Sequence, residues 1–158
     1  MSIEVLKDIF TIENILMMNV GMAAGTIIGA MPGLNVIFAI AILLPLTFGM
    51  DSLAGMYLML ASYCGATYGG SITAILINTP GQPSSVMTAL DGYQLTLQGK
   101  AEEALYAALI ASAWGGIIGT VVLLVFFRPL ASVALKFGSE SFFWMAIFGL
   151  TTLAAMFP

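Results

Sequence analysis

The sequence predicts an all-α integral membrane protein, a polytopic helical bundle in which helices are broken at Pro-Gly motifs. Of its 158 residues, 60% are apolar and only 8% are charged, and the mean hydropathy is +1.05. Two long stretches, residues 14–50 and 52–90, contain no Asp, Glu, Lys or Arg. The pairs Pro32-Gly33 and Pro80-Gly81 lie inside these two stretches. Long apolar segments that are interrupted internally favour a multi-pass protein with discontinuous helices.

The length of the charge-free stretches explains why the breaks are needed. As one continuous helix, residues 14–50 would run roughly 55 Å, whereas the hydrocarbon core of a bilayer is about 30 Å thick. Proline has no backbone N–H and clashes with the preceding turn, so neither Pro-Gly pair continues a helix. The unpaired backbone groups of a break persist at membrane depth only where protein or a watery cavity satisfies them. Paired breaks of this kind predict a transporter site.

The chain divides into two predicted regions. Residues 1–13 place apolar side chains near helical spacing, with charged residues between them, which predicts an interfacial amphipathic helix. Residues 14–158 are predicted to form the transmembrane domain. Glycine, proline or charged residues bound its apolar segments, and we expect helices over residues 14–30, 34–48, 52–68, 71–78, 84–93, 104–127 and 141–158. Residues 94–103 are expected to form a polar loop.

Small residues recur at four-residue spacing along the apolar segments. The pairs are Gly21/Gly25, Gly25/Gly29, Gly65/Gly69, Ser112/Gly116 and Gly115/Gly119. This spacing allows two helices to approach closely. Because a polytopic protein uses such pairs internally, we expect them to pack within the chain.

Composition excludes several functions. The net charge of −4 comes from scattered residues with no basic run, so nucleic-acid binding is not expected. The chain has no His, which removes a Ser-His dyad, and its one cysteine, Cys64, cannot form an internal disulfide or a cysteine metal cluster. An aspartyl intramembrane protease would need Asp91 paired with Asp51, but the segment Asp91-Gly92-Tyr93 is typical of a helix end and turn. We therefore expect no enzyme activity.

The predicted substrate site lies where a helix begins after each Pro-Gly pair. Free N–H groups and the positive end of the helix dipole at such a start suit a carboxylate. Gly33 and Gly81 are expected to allow close backbone approach. The full predicted substrate set is Gly33, Asn35, Gly81, Gln82, Ser84, Ser85 and Thr88. The alternative for Asn35 and the three hydroxyl residues is that they only cap helices.

The predicted ion site lies where the half-helices before the breaks end. The side chains of Asn78 and Thr79, together with free carbonyls, offer oxygen ligands of the kind that bind sodium. We assign Asn78 no capping role. No Lys or Arg occurs between Lys7 and Lys100, so an anionic substrate would be balanced by dipoles, amides, hydroxyls and a bound cation. This favours ion-coupled symport, with sodium as the coupling ion and no other cofactor.

Three segments together resemble a known family. They are Gly29-Ala-Met-Pro-Gly-Leu34, Tyr68-Gly-Gly-Ser-Ile-Thr-Ala-Ile-Leu-Ile-Asn-Thr-Pro-Gly81 and Thr88-Ala-Leu-Asp-Gly-Tyr93. From about Gly21 onward the chain resembles the amino-terminal part of TctA, the large membrane subunit of bacterial tripartite tricarboxylate transporters. The chain departs from the family pattern in its polar loop, where a proline is expected at Gln94. With few basic residues, the loops do not predict an orientation in the membrane.

The resemblance implies a function, partners and a location. It implies sodium-driven import of citrate-like carboxylates across the bacterial inner membrane. The partners would be a small membrane subunit like TctB and a periplasmic solute-binding protein like TctC. Family members consist of two related halves arranged as an inverted repeat, so we expect this chain to be one half, truncated at its C-terminus. A passive channel and a non-transporting assembly subunit are the alternatives, because broken helices also line pores.

Overall fold

The computed structural model describes residues 9–156, which form helices and no strand. The elements are α1 (Ile12–Gly29), α2 (Val36–Thr47), α3 (Ser52–Ile77), a 3-10 turn (Pro83–Ser85), α4 (Val86–Leu97), α5 (Ala101–Ala134) and α6 (Ser139–Met156). Within the described residues, α1, α3 and α5 are long and apolar enough to cross a membrane. The prediction of an all-α membrane protein is confirmed.

The predicted interfacial helix over residues 1–13 lies largely outside the described residues. Ile12 and Glu13, its last two residues, belong to α1. The division of the chain into an interfacial helix and a transmembrane domain therefore stays a prediction.

Both Pro-Gly pairs lie between helices. Pro32-Gly33 falls between the end of α1 and the start of α2, and Pro80-Gly81 falls between α3 and the 3-10 turn. Gly33 has a φ of +87°, a conformation that side chains rarely adopt. The chain therefore leaves the helical conformation at both Pro-Gly pairs, where a proline is followed at once by a glycine.

Three predicted boundaries are wrong. The Gly69-Gly70 pair does not end a helix, because α3 continues through it and both glycines are buried in packing contacts. Arg128-Pro129 does not end α5, which runs to Ala134. Proline inside a membrane helix is tolerated when neighbouring groups satisfy the freed carbonyl. The predicted polar loop over residues 94–103 shortens to residues 98–100, since α4 extends to Leu97 and α5 begins at Ala101.

A fourth correction concerns Asp91-Gly92-Tyr93. These residues lie in the middle of α4, not at a helix end. Gly92 is buried, and a Cβ added to it would lie 2.7 Å from Cγ1 of Ile75 on α3. Glycine is thus used here to bring two helices together, and the turn interpretation does not hold.

The chain consists of two compact units, Met1–Ala113 and Trp114–Pro158. The first contains α1 to α4 and the first part of α5, and the second contains the rest of α5 and α6. All of the predicted substrate and ion residues belong to the first unit.

Glycine residues hold α1 against α3 in the first unit. A Cβ added to Gly21, Gly25 or Gly29 of α1 would overlap the main-chain carbonyl oxygen of Leu58, Ser62 or Ala66, respectively. The contact is reciprocal, because a Cβ at Gly65 or Gly69 of α3 would overlap the carbonyl oxygen of Met22 or Thr26. The two backbones touch directly along this seam. The prediction of packing within the chain is confirmed for Gly21/Gly25, Gly25/Gly29 and Gly65/Gly69.

The small-residue pairs of α5 behave differently. No atom of the described part of the chain lies within 4 Å of a Cβ built at Gly115, Gly116 or Gly119. Ser112 is also exposed. The prediction of packing within the chain is therefore wrong for Ser112/Gly116 and Gly115/Gly119, as far as the described residues go.

We expect Gly25→Ala to destabilise the purified chain and Gly119→Ala to leave its stability unchanged or to raise it. The methyl group at position 25 meets a carbonyl of α3 and must separate two helices, which typically costs about 1–3 kcal/mol. At position 119 the space is open, and alanine favours the helix by up to about 1 kcal/mol. Thermal unfolding in detergent, followed by circular dichroism, measures both. Equal effects would contradict the close contact of α1 with α3.

Candidate functional site

The two helix interruptions lie side by side at Gly81. A Cβ added to Gly81 would lie 3.0 Å from the carbonyl oxygen of Gly29, at the end of α1, and 3.6 Å from that of Leu34, just before α2. It would also lie 3.0 Å from the Cα of Gly70 in α3. The N–H of Gly81 donates to the carbonyl oxygen of Gly70 at 3.5 Å. The second Pro-Gly interruption therefore packs between the first interruption and the middle of α3. We call this place the junction.

Gln82 brings an unpartnered donor to the junction. Its Cγ lies 3.0 Å from the position that a Cβ of Gly70 would occupy. Its amide nitrogen, Nε2, is buried and has no hydrogen-bond partner among the described residues. Leaving a buried donor unpaired costs about 1–3 kcal/mol. Gln82 directly precedes the 3-10 turn that leads into α4.

Ser85 is held inside the protein by Ser71. Its side chain is 1% exposed, and its Oγ lies 3.3 Å from the Oγ of Ser71 on α3. Its N–H donates to the carbonyl oxygen of Gln82 at 3.0 Å. Ser84, by contrast, is exposed. Sequence reasoning missed Ser71, although its position directly after Gly69-Gly70 in the Tyr68-to-Gly81 segment could have drawn attention to it.

Thr88 lines a cavity, whereas Gln82 and Ser85 are packed at or beside the junction. It lines a cavity of about 330 Å³ formed by α3, α4 and the start of α5. Asp91 lines the same cavity, together with Ser71 and Ser112. Asp91 was predicted to be a turn residue, but it lies within α4, and it is exposed.

Asn35 is the N-cap of α2. Its Oδ1 accepts hydrogen bonds from the N–H groups of Ile37 at 2.9 Å and Phe38 at 3.3 Å. The cap interpretation therefore accounts for this oxygen, and only the amide nitrogen is left to face a ligand. Gly33 provides the positive φ of the turn, and no described atom lies within 4 Å of a Cβ built there.

Asn78 and Thr79 stand at the C-terminus of α3. Asn78 is the C-cap and adopts the left-handed conformation with a φ of +54°, which asparagine tolerates better than most residues. The prediction that Asn78 has no capping role is therefore wrong. The hydroxyl of Thr79 donates to the carbonyl oxygen of Ile77 at 3.2 Å, and both side chains are exposed. Their position at the negative end of the helix dipole suits a cation.

A larger cavity lies away from the junction. It has a volume of about 540 Å³ and adjoins the turn between α2 and α3, with Thr47, Asp51 and Met56 among its lining residues. Asp51 is the N-cap of α3, and its Oδ2 accepts a hydrogen bond from the N–H of Leu53 at 3.1 Å. This carboxylate thus has a structural role as a helix cap.

The helices and the adjacent interruptions define a multi-pass membrane protein with discontinuous helices. The sequence model of the tripartite tricarboxylate transporter TctA family matches residues 15–158. The chain belongs to the TctA family, whose members are transporter components and not enzymes. The resemblance seen in the sequence is confirmed.

The chain is similar to a curated relative. The relative is an uncharacterized 52.8 kDa protein in the TAR-I ttuC' 3' region of Agrobacterium vitis, 44% identical over 137 residues. The match covers 87% of this chain and 27% of that protein. The chain thus spans about a quarter of the relative's length. No solved structure matches.

We expect Asn35→Ala to lower the stability of the purified chain by about 1 kcal/mol, because the first turn of α2 loses its side-chain acceptor. Asn35→Ser keeps an acceptor oxygen and should restore most of that loss. Thermal unfolding of both variants in detergent is the measurement. Unchanged stability in the alanine variant would contradict the cap. If the serine variant is stable but impaired in transport, the amide nitrogen of Asn35 has a second role beyond the cap.

Proposed function

We propose that the chain is the substrate-handling part of the membrane subunit of a sodium-coupled secondary transporter that imports tricarboxylates or related carboxylates. We place it in the bacterial inner membrane, with a TctB-like small membrane subunit and a TctC-like periplasmic binding protein as partners. Membership of the TctA family supports the class of transporter. The observation that carries the proposal is the buried amide nitrogen of Gln82 at the junction, which has no hydrogen-bond partner among the described residues.

A carboxylate fits the junction for two reasons. The amide nitrogen of Gln82 is a donor without a partner among the described residues, and a carboxylate is an acceptor. The start of the 3-10 turn and α4 presents the positive end of a helix dipole at the same place. Ser84 and Ser85 belong to this first turn, and Gly33 and Asn35 belong to the first interruption, which reaches Gly81 through the carbonyl groups of Gly29 and Leu34. We propose that these groups bind the substrate.

Charge balance supports a coupled cation. Residues 8–99 contain no Lys or Arg, so the junction has no fixed positive side chain to neutralise a carboxylate. We propose that Asn78 and Thr79 form one sodium position with carbonyl oxygens at the end of α3. Sodium bound there would supply the positive charge that the side chains of residues 8–99 do not provide.

The function is tested by uptake of labelled citrate in cells that express this chain within a full-length TctA subunit, together with the two partner subunits. We expect uptake against a concentration gradient when sodium is high outside, and loss of accumulation when choline replaces sodium. A channel would equilibrate citrate without accumulating it, and an assembly subunit would leave uptake intact when the junction is altered. Either result would contradict the proposal.

We expect Gln82→Leu to raise the KM for citrate at least tenfold, because leucine has a similar volume but no N–H donor. Gln94→Leu is the matched control, because Gln94 occupies an exposed position on α4. We expect the Gln94 variant to transport citrate with an unchanged KM. Initial uptake rates over a range of citrate concentrations give both values, with surface expression measured in parallel. An unchanged KM in the Gln82 variant would remove this residue from the substrate site.

A further inference from the structure

Two neighbouring cavities lie along one face of α3, away from the junction. The first, of about 540 Å³, adjoins the turn between α2 and α3, and the second, of about 400 Å³, lies between α1 and α3. Leu60 lines both of them. Met56, Leu60 and Cys64 follow one another at four-residue spacing, so they share one face of the helix, and all three are exposed. We call this face and its two cavities the α3 groove.

The walls of the α3 groove are mostly apolar and rich in methionine. Met50, Met56 and Met59 line the first cavity, and Met18 and Met22 of α1 line the second. Methionine side chains are flexible and fill irregular spaces against apolar partners. Such a lining suits a hydrocarbon chain, which has no fixed shape of its own.

Polar groups mark one end of the groove, where the chain turns from α2 into α3. Thr47, Asp51 and Ser52 line the first cavity at this turn. Asp51 separates two long uncharged stretches, so we expect this turn to lie at the membrane surface. Of the described residues that line the two cavities, Asp51 alone carries a charge. Its side chain is exposed, and the cap of α3 uses only Oδ2, which leaves Oδ1 for a group from outside the chain.

The length of the groove matches the depth of one lipid layer. Asp51 and Cys64 are 13 positions apart on the sequence, which is about 20 Å along a helix. One leaflet fills about 15 Å of a hydrocarbon core that is about 30 Å thick. A helix of this length and about 10 Å in width would occupy roughly 1,600 Å³, more than the two cavities offer. The thinner acyl chain of a lipid therefore fits the groove better than a helix does.

The charges around the groove determine which head group fits. Residues 8–99 contain no Lys or Arg, so an anionic head group would find no basic side chain of this segment and would meet the carboxylate of Asp51. An ammonium group, by contrast, forms a charge-assisted hydrogen bond with a carboxylate. The start of α3 is the positive end of a helix dipole, which suits the phosphate group of the same lipid.

We propose that the α3 groove binds one phosphatidylethanolamine molecule, a phospholipid whose head group carries a primary amine. Its ammonium group lies at Asp51, and one acyl chain follows the methionines toward Cys64. The groove is separate from the junction, and the lipid comes from the surrounding membrane. The proposal therefore goes beyond the transport function and does not rest on it.

The first test is native mass spectrometry of the purified, delipidated chain with phosphatidylethanolamine or phosphatidylglycerol that carry the same acyl chains. We expect one phosphatidylethanolamine to bind at least tenfold more tightly than phosphatidylglycerol. Asp51→Asn should reduce this preference to less than threefold and keep the fold, because asparagine is an equally good N-cap. Glu102→Gln is the matched control, since Glu102 is exposed on α5 and lines neither cavity. A wild-type chain without the preference, or an Asp51 variant that retains it, would overturn the proposal.

The second test identifies what lies in the groove of the unaltered chain. Cys64 is the only cysteine, it is exposed, and it lines the second cavity. A benzophenone maleimide attached to it is illuminated in nanodiscs that contain the two lipids in equal amounts. We expect at least five times more adducts with phosphatidylethanolamine than with phosphatidylglycerol. The same label in a chain with Cys64→Ala and Val122→Cys should give a ratio near one, because Val122 is an exposed residue of α5 that lines neither cavity.

Other occupants of the groove would give different products. A cross-link from Cys64 to a second copy of the chain would show that the groove is an interface between copies. In cells that also contain the partner subunits, a cross-link to another polypeptide in place of lipid would show that a protein fills it. Either product, or equal amounts of the two lipid adducts at Cys64, would overturn the proposal. Neither test uses citrate or a sodium gradient, so a failure of the transport function would leave a positive lipid result standing.

Discussion

The direct backbone contact between α1 and α3 is the constraint on which the rest of the first unit depends. Five glycines without Cβ atoms let the carbonyl groups of one helix touch the other along the whole seam. In a membrane, helices associate through close packing and not through the hydrophobic effect, so small residues at regular spacing are the main device available. At the end of the seam, Gly29 lies against Ala66, which fixes where α1 stops relative to α3.

The position of α1 then determines the junction. Because α1 ends beside the middle of α3, the first Pro-Gly interruption lies next to Gly70 rather than near an end of that helix. Because Gly70 has no side chain, the segment that follows α3 can pack directly against it, and Gly81 and Gln82 do so. The junction is therefore a consequence of helix register, and a shift of α1 by one turn would separate its parts.

The second interruption is anchored from the other side by α4. The hydroxyl of Thr96 donates to the carbonyl oxygen of Ile75 at 2.7 Å and to that of Gly92 at 3.1 Å, and Gly92 itself packs on Ile75. These contacts hold α4 alongside α3 and leave Thr88 and Asp91 facing the cavity.

The sequence by itself determined the class of protein, the interruption at both Pro-Gly pairs and the family. These follow from local chemistry, because long apolar runs belong in a bilayer and a Pro-Gly pair strongly disfavours a continuing helix. Only the tertiary structure decided that Gly69-Gly70 stays helical, that Asp91 lies inside α4, and that Gly25 is in contact with another helix while no described atom lies within 4 Å of a Cβ built at Gly119. Glycines at four-residue spacing pack against another helix in α1, whereas those in α5 have no described atom within 4 Å of an added Cβ. The difference lies in which neighbour faces each glycine, and neighbours are set by the packing of distant segments and not by local sequence.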